Sequence, residues 1–510
     1  MKLNRSALAH ITATDTLVKP SDNMFELPEK VLQFGTGILL RGLPDFMIGH
    51  ANNNGIFNGR IVVVKSTATG STDAFEEQDG LYTVCVRGID NGKKAEENHI
   101  VSSISRVLSA GNEWDSILEC ADNPDMQVII SNTTEVGITL IQDNIHHAPP
   151  VSFPGKLVAF LYQRFKHFHG DTTKGLVIIP TELIPDNGDV LLSIVLELAH
   201  QNNLETAFID WIENANFFCN SLVDRIVPGK LPAEAHHQLE KELGYTDELM
   251  IVSEVYSLWA IESSNEKVKN ILSFAACNDG IVIAPDIEKF RELKLRLLNG
   301  AHTFACGLAH LAGFVTVKQA MDDDAFANYI RQMMHEEIIP VISKGDISRS
   351  DAENFAEKVL DRFRNNFIEH KWLSITAQYA SKMNMRNVAV VKAYMQQYGY
   401  LPPYMGLSFA AHILFMRSTQ GEDGNFYGEL NGVPYLVNDQ HAAIYAAAWK
   451  QGGLEIILAK LLGNESIWNE DLSVLPGLKN EILHWLQLLM NVGAKAAIQQ
   501  AAKQKKELIR

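Results

Sequence analysis

Positive charge is in deficit in this chain: 44 lysines and arginines stand against 61 aspartates and glutamates, a net charge of −17. Such a surface repels nucleic acid and anionic membranes, so neither is expected as a partner. It leaves room for a local cluster of cations around a small anionic substrate. No apolar run has the length a membrane helix needs. The opening stretch MKLNRSALAHITATDTLVKP lacks the apolar core of a signal peptide, so a cytoplasmic location is expected. Cysteine is scarce and scattered: Cys85, Cys120, Cys219, Cys277 and Cys306 form no CxxC pair. That pattern excludes a disulfide framework and a structural zinc site and predicts reduced thiols. The doublets His146–His147 and His236–His237 and the pair His167 and His169 have no second ligand pair at metal spacing, so no metal is expected.

What is present is the composition of a globular protein, 46% hydrophobic and 21% charged over 510 residues. That length exceeds one hydrophobic core, so more than one domain is expected. Val31, Leu32, Gln33 and Phe34 read as a strand ending at Gly35-Thr36-Gly37, followed by a helical pattern and a second strand over 60–66. Strand, glycine turn, helix and strand form the first half of a dinucleotide-binding unit, in which glycines let the backbone approach a pyrophosphate. The third fingerprint position is Leu40 rather than glycine or alanine. The acid that normally ends the second strand is missing, and Lys65, Ser66 and Thr67 stand there. A glycine turn without a ligand is the plainer reading of this stretch alone.

The rhythm continues. An alternating β pattern over 81–89 ends at the turn Asp90-Asn91-Gly92, with 100–107 as its expected partner strand. A buried strand over 127–131 runs into Asn132 and Thr133, and a strand over 175–180 into Thr181 and Glu182. Small polar residues at strand C-termini are where α/β sheets place ligand contacts. Asp224 and Arg225 interrupt an apolar stretch, where a buried ion pair is the plainer reading. After Pro285 helical patterns follow one another and no strand is evident. The expected architecture is therefore α/β: a Rossmann-like dinucleotide-binding domain over 1–285, then a mostly α-helical domain over 286–510.

The helical domain opens on ELKLRLLNGAH, 292–302. Leu293, Leu297 and Leu298 form its apolar stripe. At about 100° per residue, Asn299 lies roughly 140° and His302 roughly 80° from Lys294, so one broad face holds all three. A lysine, an amide and an imidazole on one face suit the chemistry of a carbonyl. A snorkelling lysine and a core histidine are the plainer account of the spacing alone.

Several stretches together resemble the mannitol dehydrogenase family of long-chain polyol and sugar-acid dehydrogenases. The family's pattern of Lys, four residues, Asn, two residues, His matches Lys294, Asn299 and His302 in full. Its nucleotide motif is similar to Gln33-Phe34-Gly35-Thr36-Gly37 with Arg41. DGLYTV (79–84), ISRVL (104–108), SNTTEVGI (131–138), SFPGK (152–156), NSLVDRIVPG (220–229) and LWAIES (258–263) are similar to stretches of the family's uronate reductases. Two departures argue against plain mannitol as substrate: Glu182-Leu183 stands where the mannitol enzymes place an acid and an asparagine, and Ser374 where they place an arginine eight residues before the substrate lysine.

The resemblance implies metal-independent hydride transfer with NAD as cofactor; the missing acid leaves NADP open. It implies Lys294 as general acid/base, its pKa lowered by burial, Asn299 as oxyanion donor and His302 as an orienting group. Phe34, Gly35, Thr36, Gly37, Arg41, Ser131, Asn132 and Thr133 are the implied cofactor contacts. Glu182, Asp224, Lys382 and Arg386 are the implied contacts to a sugar-acid substrate, the two cations pairing with its carboxylate. Sister activities on a second uronate or on mannitol stay open. So does a nucleotide sensor without catalysis, although the intact Lys–Asn–His pattern opposes it. A metal-dependent hydrolase is opposed by the lack of paired ligand spacing.

Overall fold

In the computed structural model, which describes residues 1–67, 70–133 and 137–508, the chain divides into two compact units, Met1–Ile287 and Glu288–Arg510. Thr134, Glu135 and Val136 of the SNTTEVGI stretch and Ile509 of the last expected helix lie outside the described residues.

The first unit is built on a six-stranded parallel sheet: β1 (Glu29–Phe34), β2 (Arg60–Lys65), β3 (Ile104–Ser109), β4 (Val128–Ser131), β5 (Val177–Pro180) and β6 (Phe217–Phe218). Their order is β3-β2-β1-β4-β5-β6, that of the dinucleotide-binding fold, and it reverses between β1 and β4. β2, β4 and β5 are buried along their whole length, which is why they read as near-continuous apolar runs. Alternation assigns Val31, Val63, Ile130 and Ile179 to one core and Leu32, Phe34, Val64, Ile129 and Ile178 to the other.

The expected partner of the 81–89 strand is corrected here. The β strand Tyr82–Asp90 pairs antiparallel with Lys93–Val101, directly across the Asn91-Gly92 turn. Ile104–Ser109 instead pairs parallel with β2 and forms the edge of the main sheet. The two-residue turn closes its hairpin with the nearest chain, and 104–109 is released to the sheet beyond it. The apolar stretch over 251–262 holds two strands, Ile251–Glu254 and Leu258–Glu262, which pair in different sheets.

The second unit is mostly helical. Contrary to expectation it also holds a three-stranded sheet, Thr419–Gln420, Phe426–Leu430 and Val433–Leu436. Asn431 and Gly432 both adopt positive φ, 53° and 79°, in the two-residue turn that closes the second hairpin. Such short, largely exposed strands carry little apolar periodicity.

The expected helix over 287–313 winds in three parts: an α-helix Glu288–Leu293, a π-helix Lys294–Gly300 and an α-helix Ala301–Leu311. Two further π-helices occur, Met333–Ile338 and Met383–Val388, and the latter follows Lys382. Wide turns of this kind are rare and recur at functional sites.

Candidate active site

In the first unit, the loops after β1 and β4 meet where the strand order reverses. Gly35 has φ of +128°, and a Cβ there would lie 2.9 Å from the Asn132 carbonyl oxygen and 2.9 Å from Leu40 Cδ1. Glycine is therefore required for the two strand ends to approach. A Cβ on Gly37 would meet nothing within 4 Å, so space opens directly in front of the turn. That space is a cavity of about 520 Å³ lined by Gly35, Thr36, Gly37, Ser66, Thr67, Asn132 and Thr133, together with the segment from Gly137 to Lys156. A glycine-walled cavity of this size at the switch point fits a dinucleotide. A second cavity of about 780 Å³, lined by Lys30, Gln127 and Gly175, lies at the opposite end of the strands.

The rim is braced by hydrogen bonds. Asn132 donates its amide to Thr181 Oγ1 (3.0 Å), and Thr181 Oγ1 donates to the Ser131 carbonyl (2.8 Å). Glu182, expected as a substrate contact, is buried and accepts from Ser131 Oγ (3.1 Å), Thr133 N (2.8 Å) and Thr133 Oγ1 (2.9 Å). Its carboxylate holds the β4 loop in place. The SFPGK stretch forms the opposite wall. Ser152 caps the helix Phe153–His167 by accepting from Gly155 N (2.9 Å), and Phe153 packs 5.1 Å from Phe34. A Cβ on Gly155 would lie 2.2 Å from Asp143 Oδ2, so glycine lets that carboxylate take Val151 N, Ser152 N and Ser152 Oγ.

Three implied cofactor contacts, Phe34, Arg41 and the buried Ser131, are not among the cavity's lining residues, and one implied substrate contact, Asp224, stands elsewhere. Phe34 is a fully buried core side chain, and it is its carbonyl that accepts from Asn132 N (3.1 Å). Arg41 is not among the cavity's lining residues. Its buried guanidinium donates to the Leu249 carbonyl (2.6 Å) and lies over the Phe75 and Tyr82 rings, because the polar partner it needs is found inside the fold. Asp224 ends the buried strand Ser221–Asp224. The neighbouring Arg225 donates to the Glu254 and Gly42 carbonyls (3.0 and 2.6 Å), and burial lowers its pKa to about 10 against the pull of Glu254.

In the second unit, Lys294 and Asn299 begin and nearly end the π-helix. Its hydrogen bonds join residues five apart, so each residue turns through less than in an α-helix. Lys294 and Asn299, five apart, come closer round to one side than the roughly 140° of α-helical spacing on one broad face. Two neighbours satisfy the carbonyls at the end of the wide turn. Thr303 Oγ1 donates to the Asn299 carbonyl (2.8 Å), and the fully buried Asn387 donates to that of Gly300 (3.1 Å). Arg296 pairs with Glu292 (3.0 Å) and donates to the Met385 and Arg386 carbonyls (3.1 and 2.7 Å), locking this π-helix to the one over Met383–Val388. Lys294 and Asn299 are both half-buried.

His302 stacks on Phe363 with centroids 4.0 Å apart and meets His370 edge-on at 5.2 Å. Its Nε2 is buried without a hydrogen-bond partner among the described residues. Burial first, then the charges of His370, Arg362, Arg386 and Lys382, hold its pKa well below the usual imidazole range. The ring is therefore neutral, with Arg362, Arg386 and Lys382 near enough to act on its charge. Lys382 donates to the Ile375 carbonyl (3.0 Å) and Arg386 to Thr303 Oγ1 (3.1 Å). Burial lowers the pKa of both, and Arg386 lowers that of Lys382 further. Lys382 and Arg386 thus lie within electrostatic reach of His302. Arg362 and His370 join them without having been singled out in the sequence. Arg362 belongs to the helix Arg349–Phe363, whose apolar face carries the Phe363 that stacks on His302, and that adjacency is the only local signal.

Among the described residues no group of three or more His, Cys, Asp or Glu side chains is arranged to hold a metal ion, and no helix is long and apolar enough to cross a membrane.

Comparison with known proteins places this geometry. The profile of the mannitol dehydrogenase Rossmann domain matches residues 29–272, and that of the mannitol dehydrogenase C-terminal domain matches residues 286–490. The altronate oxidoreductase of Bacillus subtilis (strain 168) is 37% identical over 484 residues, covering 94% of this chain and 96% of that protein. Among solved structures, a ternary complex of Pseudomonas fluorescens mannitol 2-dehydrogenase with NAD and D-mannitol shares the fold at a TM-score of 0.67 and 22% identity, over 99% of this chain and 100% of that one. A D-sorbitol dehydrogenase in substrate-free form shares it at 0.77 and 20% identity, over 97% of this chain and 100% of that one. Both profiles lie end to end along one chain, and the relative spans nearly its full length: the protein belongs to the mannitol dehydrogenase family.

Proposed function

We propose that this protein is an altronate oxidoreductase, interconverting D-altronate and D-tagaturonate with NAD as cofactor. The observation that carries the reading is the cluster of Arg362, Lys382 and Arg386 around the neutral His302, on the same helical unit as Lys294 and Asn299. A sugar acid offers these cations a carboxylate to pair with, which an uncharged polyol does not. The 37% identity to an altronate oxidoreductase along nearly the whole chain supports the same substrate.

A bound nicotinamide supplies or accepts the hydride. The protein's own groups do the rest. In the reductive direction Lys294 gives a proton to the carbonyl oxygen as that oxygen gains charge. The Asn299 amide donates to the same oxygen, an interaction typically worth about 3 kcal/mol in the transition state. The neutral His302, fixed by Phe363, orients the hydroxyl chain, and the cations fix its carboxylate end. In the oxidative direction Lys294 takes the proton back.

The test is a substrate panel. Absorbance of NADH is followed with D-tagaturonate, D-fructuronate and D-fructose in parallel. The reading predicts kcat/KM for D-tagaturonate at least 10-fold above D-fructuronate and 100-fold above D-fructose. Preference for D-fructuronate makes the protein the sister reductase, and equal turnover of D-fructose removes the carboxylate from recognition altogether.

A further inference from the structure

The end of β2 is where a dinucleotide-binding fold reads the adenosine ribose. An acid there accepts from the 2′-hydroxyl and repels a 2′-phosphate. In this chain residues 66–72 are Ser-Thr-Ala-Thr-Gly-Ser-Thr, without a carboxylate. Ser66 and Thr67 are exposed and line the cavity beside the Gly35–Gly37 turn. Immediately behind them the buried Lys65 turns its ammonium onto the Thr67 carbonyl (2.6 Å). A cation thus backs the loop at the position where the fold usually keeps an anion.

A second cation faces the same space. Lys156, the last residue of the SFPGK stretch, is 4% exposed and lines the cavity. Its ammonium donates to the Val151 carbonyl (2.8 Å) and reaches that of Ser152 at 3.5 Å. Burial lowers its pKa, with Asp143 pulling the other way. Asp143 is the nearest acid, and its two oxygens already accept three hydrogen bonds from Val151 and Ser152. Among the described lining residues there is one ammonium and no carboxylate.

We infer that this cavity admits 2′-phosphorylated dinucleotides on nearly equal terms with unphosphorylated ones, the 2′-phosphate meeting the Ser66 and Thr67 hydroxyls between the Lys65 and Lys156 charges. The inference rests on the cavity being the dinucleotide site, and it extends the cofactor range to NADP as well as NAD. Hydroxyls serve either ribose: they donate to phosphate oxygens and exchange hydrogen bonds with a free 2′-hydroxyl. Lysine is a point charge that suits phosphate, and a deficit of repulsion rather than a dedicated clamp makes the site permissive.

The test is calorimetric binding of ADP-ribose and 2′-phospho-ADP-ribose to the full chain, alongside initial rates with NADH and NADPH. The expected result is dissociation constants within tenfold of one another, and a similar ratio of kcat/KM. Ser66→Asp should shift the ratio toward ADP-ribose by at least 30-fold. Lys156→Met should shift it the same way by at least fivefold, with Lys156→Arg restoring it. A preference of the wild type for ADP-ribose of more than tenfold overturns the inference, as does a ratio unmoved by Ser66→Asp. Ser66 is exposed, so that variant remains informative if Lys156→Met does not fold. Binding of both ligands without turnover of any sugar acid would instead count against the proposed substrate alone.

Discussion

His302 is the residue on which the substrate reading turns, because its surroundings name the ligand. A neutral ring stacked on Phe363, within electrostatic reach of Arg362, Lys382 and Arg386, suits a chain that ends in a carboxylate. Replacing any of the three cations by Met should raise KM for the uronate at least tenfold while changing that for an uncharged ketose less than threefold. Equal changes in steady-state kinetics with the two substrates would remove the cations from carboxylate binding. Lys294→Ala should lower kcat at least 100-fold from mildly acidic to alkaline pH, the usual scale of a general acid/base; near wild-type turnover would refute its role. Asp45 makes a separate prediction. It is fully buried, with one hydrogen bond from Gln33 (3.2 Å), and burial pushes its pKa up to about 7 against Gln33 and Arg41. Between 3.8 and about 7 the unfolded chain has released this proton and the folded chain has kept it. Stability is therefore lost as pH rises through that window. Asp45→Asn should raise the melting temperature at pH 8 and leave it nearly unchanged at pH 4, as thermal unfolding at the two pH values would reveal.

At the scale of elements, the site depends on a wide turn that helical periodicity conceals. Apolar spacing at Leu293, Leu297 and Leu298 announced a helix, but a uniform α-helix leaves Lys294 and Asn299 at the two margins of one broad face. The π-helix joins them, and its end carbonyls are met by Thr303 and by Asn387, a residue 87 positions away from Gly300. No local pattern encodes such a partner. Asn387→Leu should therefore lower kcat about tenfold or more with little change in NADH affinity. An unchanged kcat in a stably folded variant would mean that the turn holds its shape without this bond. The glycine turn after β1 was legible because its logic is local: strand, glycine, open space. The chain stretches 93–101 and 104–109 were confused because both carry apolar residues, and only the hairpin turn decides which one pairs. Arg362 and His370 escaped notice for a related reason. Each lies far from Lys294 in sequence, and the tertiary packing that brings Phe363 onto His302 is what makes them neighbours. The hairpin at Asn431-Gly432 did carry a turn signal, but its strands are too short and exposed to show a period of two.

At the scale of the whole molecule, a chain of net charge −17 still places cations where an anionic ligand is expected, near His302 in one unit and at Lys65 and Lys156 in the other. The two units follow the two domains of the family, and both chemical requirements of a sugar-acid dehydrogenase are accounted for within them: a glycine-walled cavity for a dinucleotide and a Lys–Asn pair beside a basic cluster. The central claim joins these into one reaction. Its most direct test is to incubate the protein with D-tagaturonate and NADH deuterated at the transferred position of C4, and to identify the product by NMR and mass spectrometry. The account predicts D-altronate carrying one deuterium on the carbon that held the keto group. A product without deuterium there, or a different sugar acid, would contradict it.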